Sequence, residues 1–333
     1  MKIVVDAMGG DQAPAVVVDG AVRAARESDI EVILVGQRGL VQAELEKHST
    51  AGLPLTLIHA SEVIEMHEHP AAAVKAKKDN SMIVGMEMVK RREADAFFTA
   101  GNSGGALAAA LFRLGRIRGV KRPALSTVFP SQTPQGFCFI LDIGANTDCR
   151  PEYLLQFAMM GSVYAERVLG IPNPRVAIVS NGEEEGKGNQ LVQETVPLLK
   201  ASPLNFVGNA EGKDILRGLA DVIVTDGFTG NVIIKLAEGV SRFLMDLLKE
   251  NLTASSMSKV GAALATPAFD NVRTRLDYRE YGGAPLLGID GVVIVGHGRS
   301  DALAIKNAIR VATQTVENSV LEAIKQGLGR YQM

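Results

Sequence analysis

The stretch AFFTAGNSGGALA, residues 96–108, joins a short apolar run to a glycine-rich turn and an alanine-rich segment. This pattern is typical of a buried strand, a tight turn and the start of a helix. Backbone N–H groups and the helix dipole converge at such a helix start, which suits an anion. We therefore predict a phosphate-binding loop over Gly101, Asn102, Ser103, Gly104 and Gly105. A turn whose glycines serve only packing is the alternative.

The same succession of strand, polar turn and helix recurs along the chain. Apolar runs followed by turns rich in glycine or asparagine lie at 3–5, 138–141, 175–179, 222–225 and 292–295. Strands that alternate with helices predict crossover connections and a mostly parallel sheet. Ligands bind such sheets beyond the carboxyl ends of the strands. We therefore expect an α/β fold with its site in these turns.

Residues 231–278 break this rhythm, because they have helical periodicity without a clear strand. Apolar residues spaced at i+3 and i+4 form one stripe from Ile233 to Leu248. A serine-rich turn follows, and then Met257, Val260 and Leu264. We predict a protruding helical hairpin on a single two-lobed α/β unit that spans residues 1–333. The stripe predicts a dimer contact, and the three later side chains predict a shallow contact with lipid. Packing of these three side chains within the dimer is the alternative.

Composition narrows the function class. The 333 residues carry a formal net charge of only -2, so the chain has no global basic field for nucleic acid. The two cysteines lack a C-x-x-C partner, and their small number suits a reducing cytoplasm. No Walker loop or G-x-G-x-x-G motif occurs, and no apolar run reaches the roughly 18 residues of a spanning helix. We expect no metal and no cofactor.

Three further polar residues stand at strand ends. Asn231 closes the motif Asp-Gly-Phe-Thr-Gly-Asn and can cap a helix or bind an oxygen. Lys187 follows the glutamates at 183–185, which are expected to hold it charged and oriented; a solvated loop is the alternative. His297 lies between two glycines and could be a general base, a phosphate ligand or a structural histidine.

Two basic clusters could dock an acidic protein through complementary charge. The first comprises Arg113, Arg116, Arg118, Lys121 and Arg122. The second comprises Lys75, Lys77 and Lys78. Each could equally be a solvated helix face.

Read in order, the motifs of the chain resemble one family over nearly the whole length. The sequence is similar to the bacterial acyl-ACP:phosphate acyltransferases, which open the acyl-phosphate route to phospholipids. The motifs that carry the resemblance are VDAMGGD at 5–11, the loop at 100–105, RPAL at 122–125, LDIGAN at 141–146, KGN at 187–189, TDGFTGN at 225–231, YGGAPLLG at 281–288 and HG at 297–298.

The resemblance implies a Rossmann-like fold similar to isopropylmalate dehydrogenase, without its nucleotide chemistry. It implies transfer of an acyl group from acyl carrier protein to inorganic phosphate, a homodimer, and peripheral association with the cytoplasmic membrane. It places Lys187 and Asn231 at positions associated with catalysis. A phosphate acyltransferase that uses acyl-CoA, an isopropylmalate-type dehydrogenase and a non-catalytic membrane scaffold are the alternatives. The dehydrogenase would need metal-binding aspartates and a nucleotide site, neither of which the sequence offers.

Overall fold

The computed structural model of the chain describes residues 1–276 and 278–329, with only the backbone given at 270, 271, 273–276, 278, 280 and 329. The strands are β1 (Lys2–Asp6), β2 (Glu31–Gly36), β3 (Leu55–His59), β4 (Ala96–Thr99), β5 (Ala124–Pro130), β6 (Phe137–Leu141), β7 (Arg175–Val179), β8 (Asn205–Ala210), β9 (Val222–Val224), β10 (Ala284–Leu287) and β11 (Val292–Val295). The helices are α1 (Ala15–Glu27), α2 (Arg38–Leu45), α3 (Pro70–Ala76), α4 (Ser81–Lys90), α5 (Ser103–Arg113), α6 (Pro151–Arg167), α7 (Gln190–Ala201), α8 (Gly212–Arg217), α9 (Gly227–Thr253), α10 (Ser256–Leu276), α11 (Tyr278–Tyr281), α12 (Ala302–Glu317) and α13 (Val320–Gly329).

One sheet carries all the described strands, in the order β3-β2-β1-β4-β11-β10-β5-β6-β9-β7-β8. The five strands from β3 to β11 pair in parallel and form the first lobe. The four from β6 to β8 pair in parallel and form the second lobe. Between them, β10 pairs antiparallel with both β11 and β5, and β5 pairs antiparallel with β6. The predicted mostly parallel α/β sheet is confirmed, with an antiparallel seam at its centre.

The seam strands β5 and β10 were not among the sequence predictions, and for β10 a proline explains why. Residue Pro285 stands within β10, and a proline in an apolar run argues against a strand because it cannot donate a ladder hydrogen bond. Here the carbonyl of Pro285 still accepts a hydrogen bond, from the Ser126 hydroxyl at 2.8 Å. The strand survives because only four residues need to pair, two with each neighbour.

Each lobe buries apolar side chains on both faces of the sheet. In β4, Phe98 packs in the cluster that contains α1 and α12, whereas Phe97 packs in the cluster that contains α4 and α5. In β6, Phe139 faces α6, and Cys138 lies in the small cluster beside α8 and the start of α9. Both faces are therefore covered, as a parallel sheet requires.

Helices α9 and α10 occupy the region where a helical hairpin was predicted. Helix α9 begins at Gly227, four residues before the predicted start, because the Asp226 carboxylate caps it by accepting from the Thr229 N–H at 2.8 Å. Much of the apolar stripe on α9 is exposed, including Leu236 and Phe243. Residue 277, near the predicted end of the hairpin, lies outside the described residues. None of the described helices is long and apolar enough to cross a membrane.

Candidate functional site

The predicted phosphate loop is the turn between β4 and α5. Its Asn102 caps α5, because its side-chain oxygen accepts from the Gly105 N–H at 3.0 Å. The Asn102 amide group donates to three backbone carbonyls in 65–68, so it fixes the loop and is not a spare donor for a ligand. In the described chain, the N–H groups of Ser103 and Gly104 make no backbone hydrogen bond. These two groups can bind an anion at the helix start.

A buried carboxyl group lies beneath this loop. The Thr99 hydroxyl donates to Asp6 at 2.7 Å, and the Gly101 N–H donates to the Thr99 oxygen at 2.9 Å. Burial raises the pKa of Asp6 above its ordinary value, since the charged form is poorly solvated there. A Cβ atom on Gly9 would lie within 2.7 Å of Asp6, Thr99 and the Gly101 nitrogen, so only glycine fits. The loop thus rests on the first strand.

The loop after β6 supplies the facing wall. The Asp142 carboxylate accepts from the N–H groups of Leu125, Gly144 and Ala145 through one oxygen, and from the N–H and amide of Asn146 through the other. Burial raises the pKa of this carboxyl group, whereas the hydrogen bonds lower it. The bonds fold the loop so that Gly144 and Ala145 line one small cavity with Ser103 and Gly104.

Asn231 lies beside this cavity. It is the fifth residue of α9, and its amide donates to the Ile143 carbonyl at 3.3 Å. A Cβ atom on Gly144 would lie 3.2 Å from the same amide nitrogen. Because Asp226 is the cap, the capping alternative for Asn231 does not apply. Its exposed amide stands where the loops of the two lobes meet.

His297 lies opposite the same face of α9. Its Nε2 is 3.3 Å from Lys235 Nζ and 3.9 Å from a Glu238 oxygen, while Arg299 reaches that carboxylate at 3.2 Å. Burial lowers the pKa of His297, and the neighbouring Arg299 and Lys235 lower it further. Lys235 and Glu238 were not predicted from the sequence. Their spacing of four and seven residues from Asn231 on one helix was the available signal.

Lys187 lies apart from the phosphate loop, in the exposed turn after β7. The expected glutamate partners are engaged elsewhere: Glu183 pairs with Lys213 at 3.0 Å, and Glu185 pairs with Lys200 at 2.5 Å. Within the described residues Lys187 forms no ion pair, and its stem passes over Gly182. The next residue, Gly188, lines a second cleft together with Asp226 and Thr229. The sequence predicted that the glutamates would orient this lysine, and that prediction is wrong for Glu183 and Glu185.

The basic clusters adopt mixed arrangements. Arg113 is half-buried against Glu87, and Arg116 donates to the Lys121 carbonyl. Arg118 and Lys121 are exposed, and Arg122 lies over the Tyr153 ring at 5.9 Å. In the other cluster, Lys77 pairs with Glu68, Lys75 lies over the Phe112 ring, and Lys78 is exposed. The first cluster therefore leaves a basic loop exposed between α5 and β5.

Neither the acidic groups nor the thiols add a separate centre. Among the described residues, one trio of acidic side chains, Glu183, Glu211 and Asp214, has oxygens close enough for a metal. Lys213 pairs with two of them, and Asp214 completes a capping box with Glu211, so helix α8 and its ion pairs account for the trio. Burial raises the pKa of Cys138 and of Cys149 to about 12. Both thiols stay protonated at neutral pH and are poor nucleophiles.

Known proteins resemble this chain over almost its full length. The profile of a family described as "Fatty acid synthesis protein" matches residues 1–323. A phosphate acyltransferase of Dictyoglomus turgidum is 53% identical over 331 residues, which cover 99% of this chain and 98% of the relative. A phosphate acyltransferase of Pelotomaculum thermopropionicum is 49% identical over 328 residues, covering 98% and 95%.

Solved structures share the fold at much lower identity. A phosphotransacetylase from Streptococcus pyogenes has a TM-score of 0.63 and 19% identity, over 95% of this chain and 94% of that one. A 4-hydroxythreonine-4-phosphate dehydrogenase from Klebsiella pneumoniae has a TM-score of 0.52 and 13% identity, over 95% and 99%. These likenesses concern the fold alone, and they confirm the predicted dehydrogenase-like architecture.

The contacts of His297 generate a testable prediction. Replacing Lys235 with methionine should raise the pKa of His297 toward its ordinary value, because one of the positive charges that disfavour the imidazolium is removed. The shift can be measured by NMR titration of the imidazole C–H signals. Lys249→Met, further along α9 on the exposed part of the helix, is the matched control and should leave the pKa unchanged. An unchanged His297 pKa in Lys235→Met would contradict the geometry.

Proposed function

The chain belongs to the phosphate acyltransferases, within the family described as fatty acid synthesis protein, and we propose that it transfers a fatty-acyl group from acyl carrier protein to inorganic phosphate. The product is an acyl phosphate for phospholipid synthesis. One observation carries the proposal: the free N–H groups at the start of α5 share a cavity with the loop after β6, beside the Asn231 amide. An anion and a polarised carbonyl group can meet there.

The reaction needs positioning more than acid–base chemistry. Phosphate is anionic at neutral pH, and one of its oxygens attacks the thioester carbon while the start of α5 holds the others. Negative charge then develops on the carbonyl oxygen, where the Asn231 amide would stabilise it. The Lys187 ammonium would reach the same oxygen only when the exposed turn after β7 moves toward α9. The carbon–sulfur bond breaks, and the thiolate leaves with the electron pair. His297, which its surroundings keep neutral, can accept a proton from phosphate.

The function and the two assigned residues share one experiment. Purified protein, acyl carrier protein loaded with a fatty-acyl group, and phosphate should yield acyl phosphate, trapped with hydroxylamine, without added nucleotide. Lys187→Ala should lower kcat roughly 100- to 1000-fold, as loss of an oxyanion donor does, and Asn231→Ala should cause a smaller loss. Lys200→Ala, in the same region but paired with Glu185, is the control and should keep full activity.

Each other outcome of this assay has a definite meaning. Higher turnover with acyl-CoA than with the loaded carrier would make coenzyme A the donor. Absence of product from both donors would leave a non-catalytic role. Near-normal kcat in both variants would show that Lys187 and Asn231 are structural.

We propose that the exposed loop of the first basic cluster docks the acidic carrier protein. Arg118 and Lys121 are exposed and form no ion pair within the described residues, whereas Arg113 and Arg116 are engaged within the protein. Arg122, over Tyr153, brings the loop to the start of α6 in the second lobe. Complementary charge of this kind steers association and weakens in salt.

Charge reversal tests the docking surface. Arg118→Glu with Lys121→Glu should raise the KM for the loaded carrier at least several-fold and leave the KM for phosphate unchanged, because only carrier encounter depends on this charge. Arg38→Glu with Lys47→Glu makes the same charge change elsewhere, at the exposed first residue of α2 and two residues beyond its end, and should do neither. Steady-state kinetics at two salt concentrations measure both constants. An effect confined to phosphate would mean that the carrier docks on another surface.

We propose that the hairpin α9–α10 makes a homodimer and brings the cytoplasmic protein to the inner face of the membrane. The apolar stripe of α9 is exposed in the single chain, with Leu236 at 65% and Phe243 at 64%, and a second copy would cover it. Beyond the turn, Met257 and Leu264 are more than 80% exposed, with Val260 between them and Lys259 nearby. Such side chains suit shallow insertion beside anionic headgroups.

Two substitutions separate these roles. Val260→Glu with Leu264→Glu should release the protein from vesicles that contain anionic lipid, because charged side chains do not enter the acyl region, and should leave the dimer and the reaction intact. Thr253→Glu with Thr266→Glu adds the same charge without removing apolar side chains, so it should weaken binding less. Vesicle sedimentation and light scattering give the two readouts. Dissociation of the dimer with unchanged vesicle binding would assign these residues to the protein interface.

A further inference from the structure

A second cleft lies within the second lobe, between the turn after β7 and the first turn of α9. Its volume is about 440 Å³, which is in the range of small-molecule sites. The floor is apolar and comes from the core side chains Leu154, Ile178 and Val192. The cleft opens at the carboxyl ends of β7 and β9, where ligands bind in parallel sheets. The mechanism above assigns nothing to it.

A buried hydroxyl group in this cleft lacks a partner. Ser180 lines the cleft, and its Oγ atom is inaccessible to solvent and makes no hydrogen bond within the described residues. Buried polar atoms are nearly always bonded, and an exception points to a missing partner. A rotation about χ1 of Ser180, which lines the cleft, would turn this hydroxyl toward a ligand carbonyl or N–H group there.

The mouth of the cleft offers two amide groups in fixed positions. The side-chain oxygen of Asn181 accepts from the Gly188 N–H at 2.9 Å, and that of Asn189 accepts from the Val192 N–H at 3.0 Å. These bonds orient both side chains. In the portion of the chain that the structure describes, neither Nδ2 group donates a hydrogen bond, so both can serve carbonyl groups of a ligand.

The cleft also lies between the proposed docking loop and the proposed reaction centre. On the outer side, Arg122 lies over Tyr153, the neighbour of Leu154 in α6. On the inner side, Asp226 and Thr229 line the cleft in the turn of α9 that precedes Asn231. Lys187 directly precedes Gly188, which lines the cleft. A flexible group tethered to the carrier could therefore pass along this cleft toward Asn231.

We propose that this cleft holds the pantetheine-type arm of the acyl donor, an assignment that rests on the proposed function. Such an arm alternates amide groups with short apolar segments, and it ends in the thioester. Its amide carbonyls match the Asn181 and Asn189 donors, its apolar segments match the floor, and a polar group of the arm would bond the Ser180 hydroxyl once that side chain has rotated into the cleft. A fatty-acyl chain would offer no hydrogen-bond partner to any of these three groups and would leave the buried Ser180 hydroxyl unsatisfied.

The test compares a carrier protein that bears the arm with the same carrier that lacks it, by calorimetry. The wild type should bind the arm-bearing carrier more tightly. Ser180→Ala should reduce that advantage about tenfold, as loss of one buried hydrogen bond does. Leu191→Trp, which narrows the cleft, should abolish it. Ser162→Ala removes another buried hydroxyl without a partner, in α6, and should change nothing.

Kinetics with short donors separate this proposal from its alternatives. With an acyl group on N-acetylcysteamine, which lacks most of the arm, Leu191→Trp should keep the wild-type kcat/KM. If instead Leu191→Trp lowers kcat/KM equally for the carrier-bound and the N-acetylcysteamine donor, and more for longer acyl chains, the acyl chain lies in the cleft and the proposal is overturned. The proposal would also be overturned if the enzyme is active and both variants still bind the arm-bearing carrier more tightly than the carrier without the arm, by the wild-type factor. If the variants abolish the tighter binding of the arm-bearing carrier but the wild-type protein makes no acyl phosphate, the cleft assignment would stand and the proposed reaction would be refuted.

Discussion

The Asp142 carboxylate is the interaction on which the arrangement of the two lobes depends. Its five hydrogen bonds join the start of β5 in the seam to the loop that follows β6. The same loop receives the start of α9: the Gly227 N–H donates to the Asn146 carbonyl, and Gly230 packs against the backbone of Asp142. An ionised carboxylate only accepts hydrogen bonds, through about four lone-pair sites, so a single one can hold several backbone N–H groups in place. The cavity between the lobes exists because this loop is held in place.

The sequence was sufficient for most of the fold because the signals were local. Short β-branched runs and glycine turns predicted nine of the strands within the described residues, and helical spacing predicted the region of α9 and α10. It was insufficient for β5 and β10, since their pairing depends on distant partners and Pro285 argues against a strand. The sheet therefore has an antiparallel seam that no local pattern indicates.

The candidate site was harder to predict for a related reason. The phosphate loop has a local signal, and the structure keeps two free N–H groups there, but it uses the Asn102 amide to fix the loop. The proximity of Glu183 and Glu185 to Lys187 in sequence did not predict contact, because other lysines are closer in space. Lys235 entered the site through the fold, which brings α9 across the loop of His297. Composition and spacing alone give no distance between α9 and β11.

Helix α9 runs from the proposed reaction centre to the exposed turn before α10. Its 27 residues at about 1.5 Å each make a rod of roughly 40 Å. The base is clamped, because Gly227 and Gly230 touch backbone atoms of the loop after β6 with no room for a side chain. A rod fixed at one end moves least near that end. Asn231, in the second turn, therefore moves by only a small fraction of any displacement at the far end. The contacts that we propose there with a bilayer or another chain could therefore be loose and variable without disturbing the geometry of the candidate site.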